Sequence, residues 1–432
     1  MNIHVVEPGD TIDSIAKFYG VSADILIRDN GLVNADNLVV GQCIIIAYPK
    51  CVYIVQEGDT LINIAKSHNI SIMELLQNNP FLSDIEYIYP GDRLIISYYK
   101  KGKLATHGIV MPYIDRNTLR KTLPYLTTLS VINYTVTDDG DIISYYNDTD
   151  IIQIIKDYNT LPLMFLTTLT LQGEANLRTT YDIILNEEYQ DRLLENILTI
   201  LREKDFYGIN ISFEYVSKSN LPYIESAFSR LSSRITEEGF VVIATINPNM
   251  TLIGDEVYFA KVNYYGLSNI AEGITFMNYE WSITSNPPSP VSSINSIKAY
   301  LDYLVDTMPV HKINIGITNV GYSWELPYVS GISEIHIITY DNAIRLAWDE
   351  GVDIEFDEVS LTPFFAYAES QITFPRDYIV WFIDARTINA LLDLVRTYNL
   401  QGTGVWNITS FNNQLWLLIN SQFNIVKYDL IN

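Results

Sequence analysis

Cysteine is almost absent from this chain: Cys43 and Cys51 are the only two. Two thiols cannot make a disulfide framework, and no neighbouring His or Cys gives metal-ligand spacing. Free thiols or one local bridge are the options, and no metal or cofactor is implied. Cations are scarce too. Lys and Arg total 27 against 51 Asp and Glu, a net charge of -24, which excludes nucleic acid and anionic membrane as main partners because phosphate binding needs clustered cations. No window approaches about 18 continuous apolar residues, so membrane insertion is excluded. The N-terminus, Met1-Asn-Ile-His-Val-Val-Glu7, lacks the basic segment and apolar core of a secretory signal. The chain is therefore expected to be made in the cytoplasm and not exported by that route.

What is present suffices for several cores. The 432 residues are 48% hydrophobic and 12% aromatic, enough for roughly two to four globular domains. The 31 tyrosines combine a flat apolar face with a hydroxyl, which suits carbohydrate surfaces, although core filling accounts for most of them.

The first hundred residues repeat. Val6-Glu-Pro-Gly-Asp-Thr11 overlies Val55-Gln-Glu-Gly-Asp-Thr60, Ile15-Ala16 overlies Ile64-Ala65, and Asn30 overlies Asn79, all at an offset of 49. Each copy reads as a short strand, a capped amphipathic helix with a stripe such as Ile12, Ile15, Ala16 and Tyr19, a second helix, and a closing strand. Ser71-Ile-Met-Glu74 has capping-box spacing. This β-α-α-β unit resembles the LysM domain in both copies, placed at 1–48 and 51–98. The resemblance implies binding of N-acetylglucosamine glycans near Gly9, Asp10 and Thr11 and near Gly58, Asp59 and Thr60, with Asn30 and Asn79 opposite. Helix capping and turn formation account for each of these side chains singly.

The short basic stretch Tyr98-Tyr-Lys-Lys-Gly-Lys103 marks a boundary, and a third domain is expected over 104–432. Eight apolar runs separated by helical stripes follow: His107 to Met111, Leu129 to Tyr134, Leu163 to Thr167, Phe206 to Glu214, Phe240 to Thr245, Ile274 to Asn278, Ile313 to Ile317 and Gly402 to Trp406. Eight such units predict an α/β fold, a (β/α)8 TIM barrel with chemistry at the C-terminal strand ends. An open doubly wound sheet is the alternative, but no Gly-x-Gly-x-x-Gly follows the first strand. Strand-like segments at Ile335 to Thr339, Asp353 to Asp357 and Tyr378 to Phe382 predict a small α+β insertion over about 330–385, between strands seven and eight.

The fourth run carries the chemistry. Side chains alternate along a strand, so Gly208, Asn210, Ser212 and Glu214 share one face opposite Ile209, Ile211 and Phe213. A polar ladder of this kind needs hydrogen-bond partners or a ligand, and a solvent-facing edge strand gives the same alternation. On a barrel, Glu214, Tyr279 with Glu280 and Trp281, and Trp406 lie at strand ends, where a carboxyl among aromatics suits sugar chemistry. For the two tryptophans, capping the barrel is the rival role.

The pattern Gly208-x-Asn210-x-Ser212-x-Glu214 is similar to the Asp-Gly-x-Asp-x-Asp-x-Glu signature of glycoside hydrolase family 18, and Met277-Asn-Tyr-Glu-Trp281 looks like its sixth-strand segment. Gly321-Tyr-Ser-Trp324, Ser360-Leu-Thr-Pro-Phe-Phe365 and Trp381-Phe-Ile-Asp-Ala-Arg386 resemble its spore-associated branch, the LysM-containing cortical fragment-lytic N-acetylglucosaminidases. The resemblance implies substrate-assisted retaining hydrolysis, an exception to the two-carboxylate rule. Glu214 would be the acid and then the base, Tyr279 would bond the acetamido oxygen, and Trp406 would floor the cleavage site. Asn278, Glu280, Trp281, Trp324 and Tyr134 would be further substrate contacts. It also implies peptidoglycan as partner, a monomer, and deposition in the spore coat or cortex. Two departures stand out. Asn210 and Ser212 replace aspartates, and losing the second removes about 1.5 to 3 kcal/mol of charge-assisted hydrogen bonding. A peptidoglycan hydrolase is the main reading. A weak or inactive glycan-binding coat protein, because of Ser212, is the alternative.

Overall fold

The computed structural model describes residues 1–84, 87–169, 176–248, 250–253, 256–277, 287–369 and 376–428. Both N-terminal modules fold as strand, helix, helix, strand. The first comprises Asn2–Val5, Ile12–Tyr19, Ala23–Asn30 and Cys43–Ile46. The second comprises Cys51–Ile54, Leu61–Ser67, Ile72–Asn78 and Arg93–Ser97. A threonine starts the first helix of each: Thr11 Oγ1 accepts from Ser14 N at 3.1 Å and Thr60 Oγ1 from Asn63 N at 3.2 Å, which satisfies an amide the first turn cannot pair internally. The preceding aspartates close the turn, Asp10 on Glu7 N at 2.9 Å and Asp59 on Gln56 N at 2.7 Å. Gly9 and Gly58 sit at φ +93° and +84°, values that a side chain resists.

Asn30 and Asn79 differ from the expectation that they face a glycan groove. They are 1% and 0% exposed. Asn30 Nδ2 donates to Leu26 O and Ile45 O at 3.0 and 2.9 Å, while its Oδ1 accepts from Ile45 N at 2.7 Å. Asn79 repeats this with Leu75 O, Ile95 O and Ile95 N at 2.9, 2.7 and 2.8 Å. Each amide is used up in tying the second helix to the closing strand.

The barrel strands are β1 (Lys103–Val110), β2 (Thr128–Val136), β3 (Leu161–Thr167), β4 (Gly208–Phe213), β5 (Val241–Ile246), β6 (Ile274–Phe276), β7 (Ile313–Thr318) and β8 (Gly402–Trp406). Each pairs in parallel with the next, and β8 pairs with β1, so the ring is closed. Helices cover it, and the expected stripes are buried: Leu193, Leu194, Ile197, Leu198 and Leu201 on Glu187–Lys204, and Ile388, Leu391, Leu392 and Val395 on Ala385–Tyr398. Among the described residues, no helix is long and apolar enough to cross a membrane.

The insertion between β7 and β8 is a five-stranded antiparallel sheet with the helix Tyr340–Glu350. Its strands run in the order Ile335–Ile338, Gly321–Leu326, Arg376–Trp381, Thr362–Glu369, Glu355–Asp357. It thus draws in Gly321–Leu326, upstream of position 330. Thr362–Glu369 is a strand beyond the three expected segments, and it accommodates Pro363.

The closing strand of the first module is buried on both faces. Ile44 and Ile46 fill the module core, and Cys43 and Ile45 join the barrel core. Both cysteines are free thiols. Gln414 Nε2 donates to Cys43 O at 2.7 Å and Arg386 Nη2 to Gly41 O at 3.2 Å. The second module docks through Gln77, whose Nε2 donates to Pro124 O at 2.8 Å and whose carbonyl accepts from Tyr125 Oη at 2.7 Å.

Because Asn79→Ala leaves three buried backbone groups unpaired, it is expected to destabilise the second module by about 2 to 4 kcal/mol. A calorimetric unfolding midpoint equal to that of the wild type would contradict this clamp role.

Candidate active site

Strand β4 points Asn210 and Ser212 into the barrel. Asn210, 2% exposed, donates from Nδ2 to Ser130 Oγ on β2 at 3.0 Å and accepts at Oδ1 from Thr245 Oγ1 on β5 at 2.9 Å. The ladder therefore faces the interior of a closed ring rather than solvent. One pleat further, Ser212 Oγ donates to Glu214 Oε1 at 2.5 Å, and Thr167 Oγ1, at the end of β3, donates to the same oxygen at 3.4 Å. Among the described residues, no donor reaches Oε2.

Glu214 is half-buried at the barrel mouth. It borders a cavity of about 70 Å³ that it shares with Val136, Leu166, Ile183 and Phe213. Burial penalises the charged form and pushes the carboxyl up to about 7, against the opposing pull of the Ser212 and Thr167 hydrogen bonds. A carboxyl that keeps a proton near neutrality, with one oxygen free to deliver it, can serve as a general acid.

The mouth is shaped from the far side as well. Met277, fully buried at the end of β6, lies against Gly316 of β7, where a Cβ would come within 2.5 Å of its sulfur. Trp406 ends β8 and is half-buried. Its carbonyl accepts from Asn319 N at 2.6 Å, and Asn319 Nδ2 donates to Asn407 O and Ser410 O at 3.1 and 3.2 Å. Asn319, just past β7, thus fixes the loop that carries the tryptophan.

A family model described as glycosyl hydrolases family 18 matches residues 97–410. The chain belongs to family 18 of the glycosyl hydrolases. LysM domain models match residues 4–47 and 53–97. This family 18 protein is 31% identical to the cortical fragment-lytic enzyme of Bacillus subtilis over 434 residues, which cover 99% of each chain. It is similar in structure to the spore cortex-lytic enzyme SleL of Bacillus megaterium, with a TM-score of 0.79, 30% identity and 99% coverage of both chains. A chitinase from Chromobacterium violaceum shares the fold at 19% identity and a TM-score of 0.64, covering 74% of this chain and 98% of its own.

Two sequence-derived candidates lie elsewhere in this glycosyl hydrolase. Tyr134, expected to meet substrate, is 1% exposed. Its hydroxyl donates to Asp148 Oδ2 at 2.5 Å, where Asn133 Nδ2 also donates at 3.1 Å, and Lys204 Nζ donates to Asp148 Oδ1 at 2.7 Å. It packs edge-on to Phe206, in the wall rather than the mouth. Trp324 is 4% exposed in the core under the insertion sheet, edge-on to Tyr322. Asn278, Tyr279, Glu280 and Trp281 lie outside the described residues. Sequence reasoning missed Thr167 and Asn319. The first was legible by the strand-end rule that singled out Glu214, whereas nothing in its neighbours signals the second.

Ser212→Ala removes the nearer donor from the ionised carboxylate, so the Glu214 pKa should rise. A hydrogen bond to a charged group is worth about 1.5 to 3 kcal/mol, or a rise of at least about one pH unit. Carbon NMR titration of labelled glutamate measures this, and an unchanged or lower value would show that the serine does not tune the acid.

Proposed function

We propose that the chain hydrolyses N-acetylglucosamine glycosidic bonds in spore cortex peptidoglycan, with its LysM domains holding the glycan. The observation that carries this reading is Glu214: a carboxyl at the end of β4, raised to about 7 by burial, with one oxygen unoccupied among the described residues. The names of the Bacillus relatives, which align over nearly all of both chains, supply the cortex.

In this reading Glu214 Oε2 passes its proton to the glycosidic oxygen as the bond to C1 breaks. The carbonyl oxygen of the substrate's own 2-acetamido group bonds to C1 on the opposite face, giving a cyclic oxazolinium without an enzyme nucleophile. Glu214, now a carboxylate, takes a proton from the water that attacks C1. The ring opens, the acetamide is restored, and configuration is retained. Tyr279 bonds the acetamido oxygen, Trp406 stacks under the sugar, and Asn278, Glu280 and Trp281 are further substrate contacts. Asn210 holds the ladder beneath. Gly9 to Thr11 and Gly58 to Thr60 provide the glycan-binding loops, in modules spanning 1–48 and 51–98 ahead of a barrel over 104–432.

Since the acid role needs the protonated form, activity should fall as pH rises through about 7. Glu214→Gln keeps the shape and loses the proton, so turnover of peptidoglycan fragments should drop by roughly 10²- to 10⁴-fold or more while glycan binding persists. Reducing sugar released equally by both proteins would place the acid elsewhere.

Ser212→Asp tests the departure from the family pattern. A restored acetamide contact should raise turnover about tenfold or more, with the pH optimum moved upward by the second carboxylate. Binding without detectable hydrolysis, in both the wild type and this variant, would leave a glycan-binding coat protein as the function.

A further inference from the structure

The stretch Tyr98 to Lys103 does more than mark a boundary. Where the second LysM domain meets the barrel there is a cavity of about 370 Å³, lined by Lys50, Glu74, Tyr99, Lys100, Lys101 and Asn424 among others. Two of its lysines are fixed through the backbone: Lys50 N donates to Ser97 O at 2.8 Å and Lys101 N to Gln422 O at 2.6 Å. The third, Lys100, is half-buried and donates from Nζ to the neutral Asn420 Oδ1 at 2.8 Å.

Among the described residues, none of these three lysines forms an ion pair, although cations such as Lys204 and Arg230 do. In a chain with 51 acids to 27 bases, three lysines without an ion pair lining one cavity run against the overall field. Among the described residues, the only acid in the lining is Glu74. Its Oε2 already accepts from Ser71 N at 2.8 Å and Ser71 Oγ at 3.1 Å, as part of a helix cap. Burial lowers Lys100 to about 8, with Glu74 acting in the opposite sense, so a bound anion would relieve a cost already present. Tyr99, 69% exposed, adds a flat apolar face at the rim.

We infer that this junction binds carboxylate groups of the peptide side chains carried by a peptidoglycan strand. Three separate point charges around a cavity of this size suit carboxylates spaced along a peptide. A single phosphate is better served by a guanidinium fork or a nest of backbone amides. Only the identity of the polymer rests on the hydrolase reading. The site sets which fragments are held, and the LysM domains hold the sugar itself.

The test uses the full chain and calorimetric binding at fixed ionic strength. The probes are soluble peptidoglycan fragments with their peptides, the same fragments with peptides stripped, N-acetylglucosamine oligomers, and inorganic phosphate. Changing the two exposed lysines, Lys50→Gln with Lys101→Gln, should weaken binding of peptide-bearing fragments by about tenfold. It should also flatten the salt dependence and leave stripped fragments and oligomers bound as by the wild type. Lys101→Glu, a single exposed change, should act in the same direction. Equal affinity of wild type and variants for peptide-bearing fragments, or an equal loss on stripped fragments, would overturn the site. Phosphate competing as well as the fragments do would reduce it to a generic anion site and overturn the assignment to peptide carboxylates. Hydrolysis is scored separately: its absence would strike the proposed reaction, whereas the difference in binding decides the site.

Discussion

Closing eight parallel strands into a ring forces every second side chain of each strand into a shared interior. In this chain much of that interior is polar. Asn210 bridges Ser130 and Thr245, and lower down His107 Nδ1 meets Thr128 Oγ1 at 2.8 Å, with burial holding the imidazole down at about 4 and so neutral. Asn210 and the Nδ1 side of His107 are tolerated there because each finds a partner on another strand of the ring. The same pleat that aims Asn210 inward aims Ser212 and then Glu214 at the mouth. The position of the Glu214 carboxyl is thus a consequence of strand periodicity and closure together.

The acid is set by a balance of two opposing effects. Desolvation raises the Glu214 carboxyl, and two hydroxyl donors pull it back, with desolvation the larger. Serine at 212 supplies a donor without charge. An ionised aspartate there would raise the pKa by repulsion and couple the two titrations. Burial is therefore the main influence on this carboxyl.

Most of the fold could be read from periodicity. All eight barrel strands overlap runs in the sequence, the helical stripes are buried where the 3.6-residue period puts them, and the two copies of the N-terminal unit share one order of elements. The candidate site was legible where alternation holds and lost where it breaks. Tyr134 shares its parity with Thr128 and Ser130, which face inward, but the pairing of β2 with β3 slips between Ile132 and Tyr134. That irregularity turns the ring into the helical layer, against Phe206 and Asp148. Sequence alone gives no sign of a bulge of this kind. The asparagines of the modules mislead for a different reason: a short polar side chain next to a groove loop is equally suited to bracing the backbone, and the buried amides of Asn30 and Asn79 do that.

Docking of the modules follows from the apolar run Cys43-Ile-Ile-Ile46. A strand with only one buried face would alternate, and this one does not, because its second face is covered by the barrel. Around it the polar contacts are made by buried groups: Gln414 on the Cys43 carbonyl, and Asp384, which caps Ala385–Tyr398, holds Arg386 and lies 3.2 Å from the Cys43 thiol. The second module is tied by Gln77 to Pro124 and by Asn420, which donates to Gln77 O at 3.0 Å and to Asn78 Oδ1 at 2.9 Å. Separating either module would expose apolar surface and leave buried amides unpaired, both of which cost free energy. Each LysM domain is therefore held against the barrel by its own closing strand or second helix.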